Sequence, residues 1–264
     1  MKYVVIGNGV AGINAAARIR LKDTSADITV ISQESDHFFS RTALMYVFCG
    51  QMSVRDIEPF ERDYYQKMNF QRVRDEVLGL IASTKTLQMR NGMAINYDRL
   101  LIAAGSVPRM VGWPGQDLDG VCNFVTMQNL ELMKKQAKTT KKACVVGGGL
   151  IGIEAVEVLL MAGIEVSFVI RESHYWPVAL DKTEGALITE RMKEHGCDVR
   201  LNTECKEVLG KEGKVIGLLT DDGETINCDM VVFAIGVRPQ TDWLKDSGVN
   251  VRQVGLEIVI DNNT

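Results

Sequence analysis

The stretch spanning residues 142–171, KACVVGGGLIGIEAVEVLLMAGIEVSFVIR, constrains the fold more than any other part of the chain. Residues 143–146 form a short, β-branched apolar run that reads as a buried strand. Gly147-x-Gly149-x-x-Gly152 follows at once, then apolar residues at helical spacing over 151–161, closed by Gly163. A second strand is expected over 166–170. Strand, glycine turn, helix and strand make a βαβ unit with the dinucleotide-binding pattern. Each glycine has its own job. Gly147 allows the tight turn, Gly149 lets backbone approach a pyrophosphate, and Gly152 lets helix and strand pack closely. The free N–H groups and positive end of the helix then face the phosphates. A bare GxGxxG is weak evidence; here the flanking elements supply the context it needs.

The beginning of the chain repeats this arrangement. Residues 3–6 read as a strand, Gly7-x-Gly9-x-x-Gly12 as the turn, 13–21 as an alanine-rich helix and 28–31 as the next strand. The repeat extends beyond the glycines. Two short strands, 86–89 and 94–97, flank Asn91-Gly92, a strong hairpin signal, and an apolar strand then ends at Gly105. In the second half, 215–220 and 224–228 flank Asp222-Gly223, and an apolar strand ends at Gly236. This is duplication at domain scale. It predicts an α/β protein with two Rossmann-like dinucleotide-binding domains, each with a parallel sheet and a β-meander. The expected ranges are 1–110 with 240–264, and 111–239. Trp113-Pro114-Gly115 reads as the linker between them. A helix is expected over residues 127–137. Another starts at Asp181, with Glu184 completing a capping-box pattern, and stops at Gly196. His195 then reads as a helix C-terminal residue rather than a catalyst.

Composition narrows the function. A net charge of −4 gives no basic footprint for nucleic acid. No apolar run approaches the roughly 18 residues that a membrane span needs. Met1 leads straight into a strand, leaving no room for a signal peptide. The six cysteines form neither CxxC nor CxxxxC and read as reduced, mostly buried thiols of a cytoplasmic protein. Cys49, in an apolar, methionine-rich stretch, reads as core. No pattern of metal ligands stands out.

Two GxGxxG units, YDRLLIAAGS at 97–106 and FAIGVRP at 233–239 together resemble the FAD/NAD(P)-dependent pyridine nucleotide-disulfide oxidoreductase superfamily. The similarity is greatest to the branch without a redox disulfide, which includes nitrite reductase large subunits, rubredoxin and ferredoxin reductases, and the apoptosis-inducing-factor group. The resemblance covers the whole chain. It implies that Gly7, Gly9, Val10, Ala11 and Gly12 cradle the FAD pyrophosphate. The acid that binds the ribose hydroxyls is expected near Ser32, and Glu34 is assigned that role. Arg41 falls where such families carry a cation near the flavin or its phosphates. Val77 falls where they lay backbone against adenine, and Ala104-Gly105 returns the chain to the FAD. In the second unit, Gly147, Gly149, Leu150, Ile151 and Gly152 cradle the nicotinamide dinucleotide. Glu154, expected on the first helical turn, matches the glutamate near the nicotinamide, and Gly236 approaches that same half. At the end of the second strand stands Arg171, whose guanidinium suits a 2′-phosphate, although Glu172 beside it would repel one. This tips the expectation slightly to NADPH.

The resemblance further implies hydride transfer from NAD(P)H to FAD, with the chemistry carried by the cofactors and no catalytic acid–base pair required. The segment where a redox disulfide would lie, residues 38–44, contains no cysteine. Electrons are therefore expected to pass from flavin to an external acceptor: a small redox protein, a quinone-like molecule or oxygen. The family's Thr-x-x-Pro turn and Gly-Asp strand would begin where residues 256–264 lie, so the FAD domain is expected to be incomplete at its C-terminal side. An unpaired sheet edge there invites pairing with another chain, as in an oligomer. An alternative from a different class is a dinucleotide-binding module or fragment without turnover.

Overall fold

A computed structural model of the protein describes residues 1–254 and 257–261, with side chains through residue 249. The chain forms two compact units. The first comprises Met1–Ser40, Ser53–Val107 and the chain from Arg238 onward; the second comprises Arg41–Met52 and Pro108–Val237. The segment Arg41–Met52 thus groups with the second unit, although the sequence ranges place it in the first. Of the 240–264 segment, residues 255–256 and 262–264 lie outside the described residues, as does part of the 256–264 stretch discussed above.

In the first unit, β1 (Lys2–Ile6) leads into α1 (Val10–Lys22) and β2 (Asp27–Ser32). β3 (Phe70–Arg74), β4 (Val77–Ile81), β5 (Thr86–Met89), β6 (Ala94–Asn96) and β7 (Arg99–Ile102) follow. The main sheet is parallel, in the order β3-β2-β1-β7. β4, β5 and β6 form the antiparallel meander. The apolar run of β1 is explained by the two layers it separates. Val5 packs toward α1 with Ile13, Ala16, Ile28 and Val30, while Val4 and Ile6 pack toward the meander with Ile31, Leu80 and Leu87. A strand with period-2 geometry and both faces covered has to be apolar throughout. Each such side chain contributes about 1.5–3 kcal/mol of burial.

The second unit repeats the plan with one more strand. It runs through β8 (Val121–Asn123), α2 (Met127–Ala137), β9 (Lys142–Val146), α3 (Leu150–Met161), β10 (Glu165–Ile170) and α4 (Lys182–Glu194). Next come β11 (Asp198–Leu201), β12 (Cys205–Lys211), β13 (Lys214–Thr220), β14 (Thr225–Asn227) and β15 (Met230–Phe233). The parallel sheet has the order β11-β10-β9-β15-β8, and β12-β13-β14 is the meander. Cys144 and Val146 of β9 face the meander with Val208, Leu218 and Ile226, whereas Val145 between them is fully buried on the other face. Beyond it, in the first unit, β16 (Asn250–Val254) and β17 (Glu257–Asp261) pair antiparallel.

Local signals in the sequence correspond to particular bonds. Asp181 accepts from the Glu184 backbone N–H and the Glu184 side chain accepts from that of Asp181, closing the capping box. His195 is the C-cap of α4, and Gly196 takes φ +86° after it. A second capping box, Thr126 with Asn129, starts α2.

Three expectations are corrected. Trp113-Pro114-Gly115, read as a linker between the domains, is packed within the second unit. Trp113 stacks on Phe233 at 5.0 Å, Pro114 accepts from the Val208 N–H, and a side chain at Gly115 would meet the Val208 carbonyl. Cys49 is half-buried rather than core, because the short helix Leu44–Phe48 turns Leu44 and Val47 inward and leaves Cys49 at its end, beside Met161. Both apolar strands before Gly105 and Gly236 end early, at Ile102 and Phe233, because the chain turns out of the ladder ahead of these glycines, which have φ +69° and +103°.

Candidate functional site

Each unit builds the same cradle at the carboxyl end of its central strand. In the first, the Gly7 N–H donates to Ile31 and the Ala103 N–H donates to Ile6, which fixes the turn between the ends of β2 and β7. In the second, the Gly147 N–H donates to Val169 and the Ala234 N–H donates to Val146. In each sheet the chain goes one way from the central strand and later returns on its other side, so the turn sits at the topological switch point where ligands of open α/β sheets bind.

The glycines of each turn divide into two kinds. Gly7 has φ +107°, and a Cβ there would lie 2.0 Å from the Ala103 carbonyl oxygen; a Cβ on Gly12 would lie 1.9 Å from that of Gly7. Gly147 and Gly152 are equally closed, at 2.5 Å from Ala234 O and 2.0 Å from Gly147 O. Gly9 and Gly149 differ: neither has a positive φ, and nothing lies within 4 Å of a Cβ on either. Neither the fold nor the backbone conformation therefore demands glycine at these two positions. A side chain would project into open space in front of the helix, which is where a pyrophosphate would come closest.

The helix ends fit that ligand. Gly9 and Gly149 are the N-caps, so α1 and α3 begin at Val10 and Leu150, earlier than the apolar periodicity indicated. The first intrahelical bonds come from the N–H groups of Ile13 and Ile153. This leaves the N–H groups of Val10, Ala11 and Gly12, and of Leu150, Ile151 and Gly152, without an intrahelical acceptor. No capping side chain takes their place and neither first turn carries an acid. Both absences suit an anion. Val10 and Leu150 stand exposed beside the turns, apolar groups free to lie along a ligand.

Around the first turn, Glu34 is half-buried two residues past the end of β2, and its N–H donates to the Ser32 hydroxyl. Val77 is buried at the start of β4, and Gly105 accepts from the Gln240 N–H. Arg41 belongs to the other compact unit, where its guanidinium donates to the Val125 carbonyl at 2.6 Å. No motif in the sequence points to Tyr65. This side chain is 2% exposed, and its hydroxyl donates to Asn8 Oδ1 at 2.8 Å while accepting from the Phe38 N–H at 2.7 Å. Asn8 lies inside the glycine turn, so one buried phenol ties the turn to the loop after β2. Burial pushes the Tyr65 hydroxyl above its ordinary pKa, which keeps it a donor. The contact spans 57 positions of sequence, and no local pattern announces it.

The second turn opens on a cleft of about 620 Å³. Gly147, Gly149, Leu150 and Ile151 form its floor, with Arg171 and Glu172 at the β10 end and Ile235 and Gly236 at the β15 end. Arg109, which no motif marked, lines the cleft beside Gly236, whose carbonyl accepts its backbone N–H. Arg171 is not a lone cation: Nη2 and Nε donate to Glu172 Oε1 at 2.9 and 3.2 Å. Glu154 is the fifth residue of α3 and so lies on its second turn, not its first as expected. It is half-buried, and burial, reinforced by Glu157, raises its carboxyl pKa. Neighbouring Tyr175 is pushed up to about 12 by burial and then by Glu154. Among the described residues, no group of three or more His, Cys, Asp or Glu is placed to hold a metal, and no helix is long and apolar enough to cross a membrane.

Comparison with known proteins agrees with this architecture. The chain is 33% identical over 254 residues to a nitrite reductase [NAD(P)H] of Bacillus subtilis, covering 96% of this chain and 31% of that protein. It is 29% identical to an NADH oxidase of Methanocaldococcus jannaschii, covering 98% of this chain and 59% of the other. Among solved structures, an NAD-dependent persulfide reductase from A. fulgidus superposes with a TM-score of 0.88 at 28% identity, over 96% of this chain and 49% of that one. The chain thus spans about a third to three fifths of the length of these relatives. A match to the family described as pyridine nucleotide-disulphide oxidoreductase runs over residues 1–264, and the chain belongs to that family.

Proposed function

We propose that this chain is the nucleotide-binding part of an NAD(P)H-dependent flavoprotein oxidoreductase, with FAD on the first unit and the nicotinamide dinucleotide on the second. The observation that carries this reading is the cradle built twice, each copy with an N-cap glycine that the fold does not require. The family match and the nicotinamide cofactors in the names of the three relatives support the same assignment.

When bound, the nicotinamide and flavin supply the hydride chemistry. The chain's residues bind and orient. The N–H groups of residues 10–12 and 150–152 hold the two pyrophosphates. Glu34 accepts from the ribose hydroxyls on the first unit. Ala104 and Gly105 border the first site, and Val77 lies beside its adenine. On the second unit, Gly236 brings backbone close to the nicotinamide, and Glu154, held toward its neutral form by burial, sits beside that half. Electrons then leave to an external acceptor such as a small redox protein. A thiol relay is disfavoured because residues 38–44 contain no cysteine, and burial and Glu157 raise the pKa of Cys49, keeping that thiol protonated.

Two substitutions separate the sites. Gly149→Val should abolish NADH binding and leave FAD binding unchanged, and Gly9→Val should do the reverse, each measured by calorimetric titration. Loss of both ligands from either variant, or of neither, contradicts the assignment.

A further inference from the structure

The loop between β10 and α4 carries an unusual backbone. Trp176 has φ +50°, in the left-handed region that L side chains seldom adopt. It also precedes Pro177, whose ring crowds the residue before it and favours an extended conformation there. Among the described residues, the other positive-φ positions without glycine are Asn69, Lys85, Asn202, Glu212 and Asp246. These are short amide or carboxylate side chains that tolerate this conformation, or flexible polar chains in turns. Trp176 is the bulky ring in the set. Such a conformation persists only where the surroundings over-determine it, and it clusters at ligand sites. The surroundings here do so. The Trp176 carbonyl accepts the N–H groups of both Ala179 and Leu180 at 3.0 Å. On its other side, Tyr175 is 2% exposed and packs near Phe168.

Between these anchors the indole is half-buried and lines the cleft together with Arg171 and Glu172. Its contact with the Tyr175 ring is tilted, at 54° and 6.4 Å, so among the described residues no ring lies flat on it. Trp113, also in the cleft lining, differs in that it is already stacked on Phe233. In a βαβ nucleotide fold the pyrophosphate lies at the helix N-terminus and the adenosine ribose at the end of the second strand. That end is Arg171–Glu172, and a base joined to that ribose would reach past it into the part of the cleft that Trp176 lines. We propose that Trp176 is the stacking platform for the adenine of the nicotinamide dinucleotide, and that the left-handed backbone is what turns its ring to the cleft. A purine offers a flat π-face, and an aromatic ring offers the same in return.

The inference rests on the dinucleotide reading of the cleft, so the experiment measures both. Binding of NADH and of ADP-ribose, which has the adenine end without the nicotinamide, is titrated on the wild type and on Trp176→Ala, Trp176→Phe and Trp176→Gly, alongside thermal unfolding of the ligand-free proteins. Trp176→Ala should weaken both ligands about tenfold, the lower part of the range for loss of one base–aromatic stack. Trp176→Phe should recover most of that affinity. Trp176→Gly should bind as weakly as the alanine variant yet melt at a higher temperature, since glycine relaxes the left-handed φ without a Cβ. Unchanged ADP-ribose affinity in Trp176→Ala, or a phenylalanine variant as weak as the alanine one, overturns the stacking role. A glycine variant no more stable than the alanine one overturns the part played by the backbone. A wild type that binds neither ligand overturns the dinucleotide reading itself and the inference with it.

Discussion

Two adjacent side chains of opposite charge, Arg171 and Glu172, follow β10, where on the proposed reading a 2′-phosphate and a 2′-hydroxyl would be told apart. The sequence placed both at the end of β10 but left open whether they act separately. In the structure Glu172 accepts two bonds from Arg171, with the carboxylate the less exposed partner. A 2′-phosphate must then compete with Glu172 for the guanidinium and accept its repulsion. Glu172→Gln should therefore raise NADPH affinity severalfold relative to NADH, and Arg171→Ala should weaken NADPH by about 1–3 kcal/mol with much less effect on NADH. Equal changes for both nucleotides in titration would show that this pair does not read the 2′ position. Residue chemistry of this local kind was legible in advance. Tyr65 was not, because its partners Asn8 and Phe38 are neighbours only once β1, β2 and the Tyr64–Lys67 helix are assembled.

At the scale of elements, the glycine turns show how far a pattern can be read. GxGxxG announced strand, turn and helix in both halves, and Asn91-Gly92 and Asp222-Gly223 announced the meanders. These two helices start one to three residues before their apolar periodicity does, because that periodicity marks the buried face and not the N-cap, and their first residues are exposed Val10 and Leu150. Pro-Gly composition looks alike in a linker and in a turn pinned under a tryptophan, and Trp113-Pro114-Gly115 is the latter. The structure separates glycines that the fold needs from glycines that it does not. Gly152→Ala drives a Cβ against the Gly147 carbonyl and should cost about 1–3 kcal/mol in denaturant unfolding. Gly149→Ala meets nothing within 4 Å and should fall within about 0.5 kcal/mol of wild type. Equal destabilisation by the two would mean that Gly149 also has a structural task.

For the whole molecule, the decisive feature is the internal duplication. Fold class and the order of elements followed from it, since a βαβ unit, a further strand, a meander and a closing strand recur in both halves. The grouping of Arg41–Met52 with the second unit did not follow, because the segment lies between first-unit elements in sequence, and its place is set by contacts of Leu44–Phe48 with α2 and α3. On the proposed reading each of the two cradles holds its own nucleotide. The most direct measurement is an anaerobic absorption titration of the purified chain saturated with FAD. The account predicts the two visible bands of protein-bound flavin and their bleaching on addition of NADH or NADPH. Flavin that binds but keeps its colour with both nucleotides, or a protein that takes up no FAD, would contradict it.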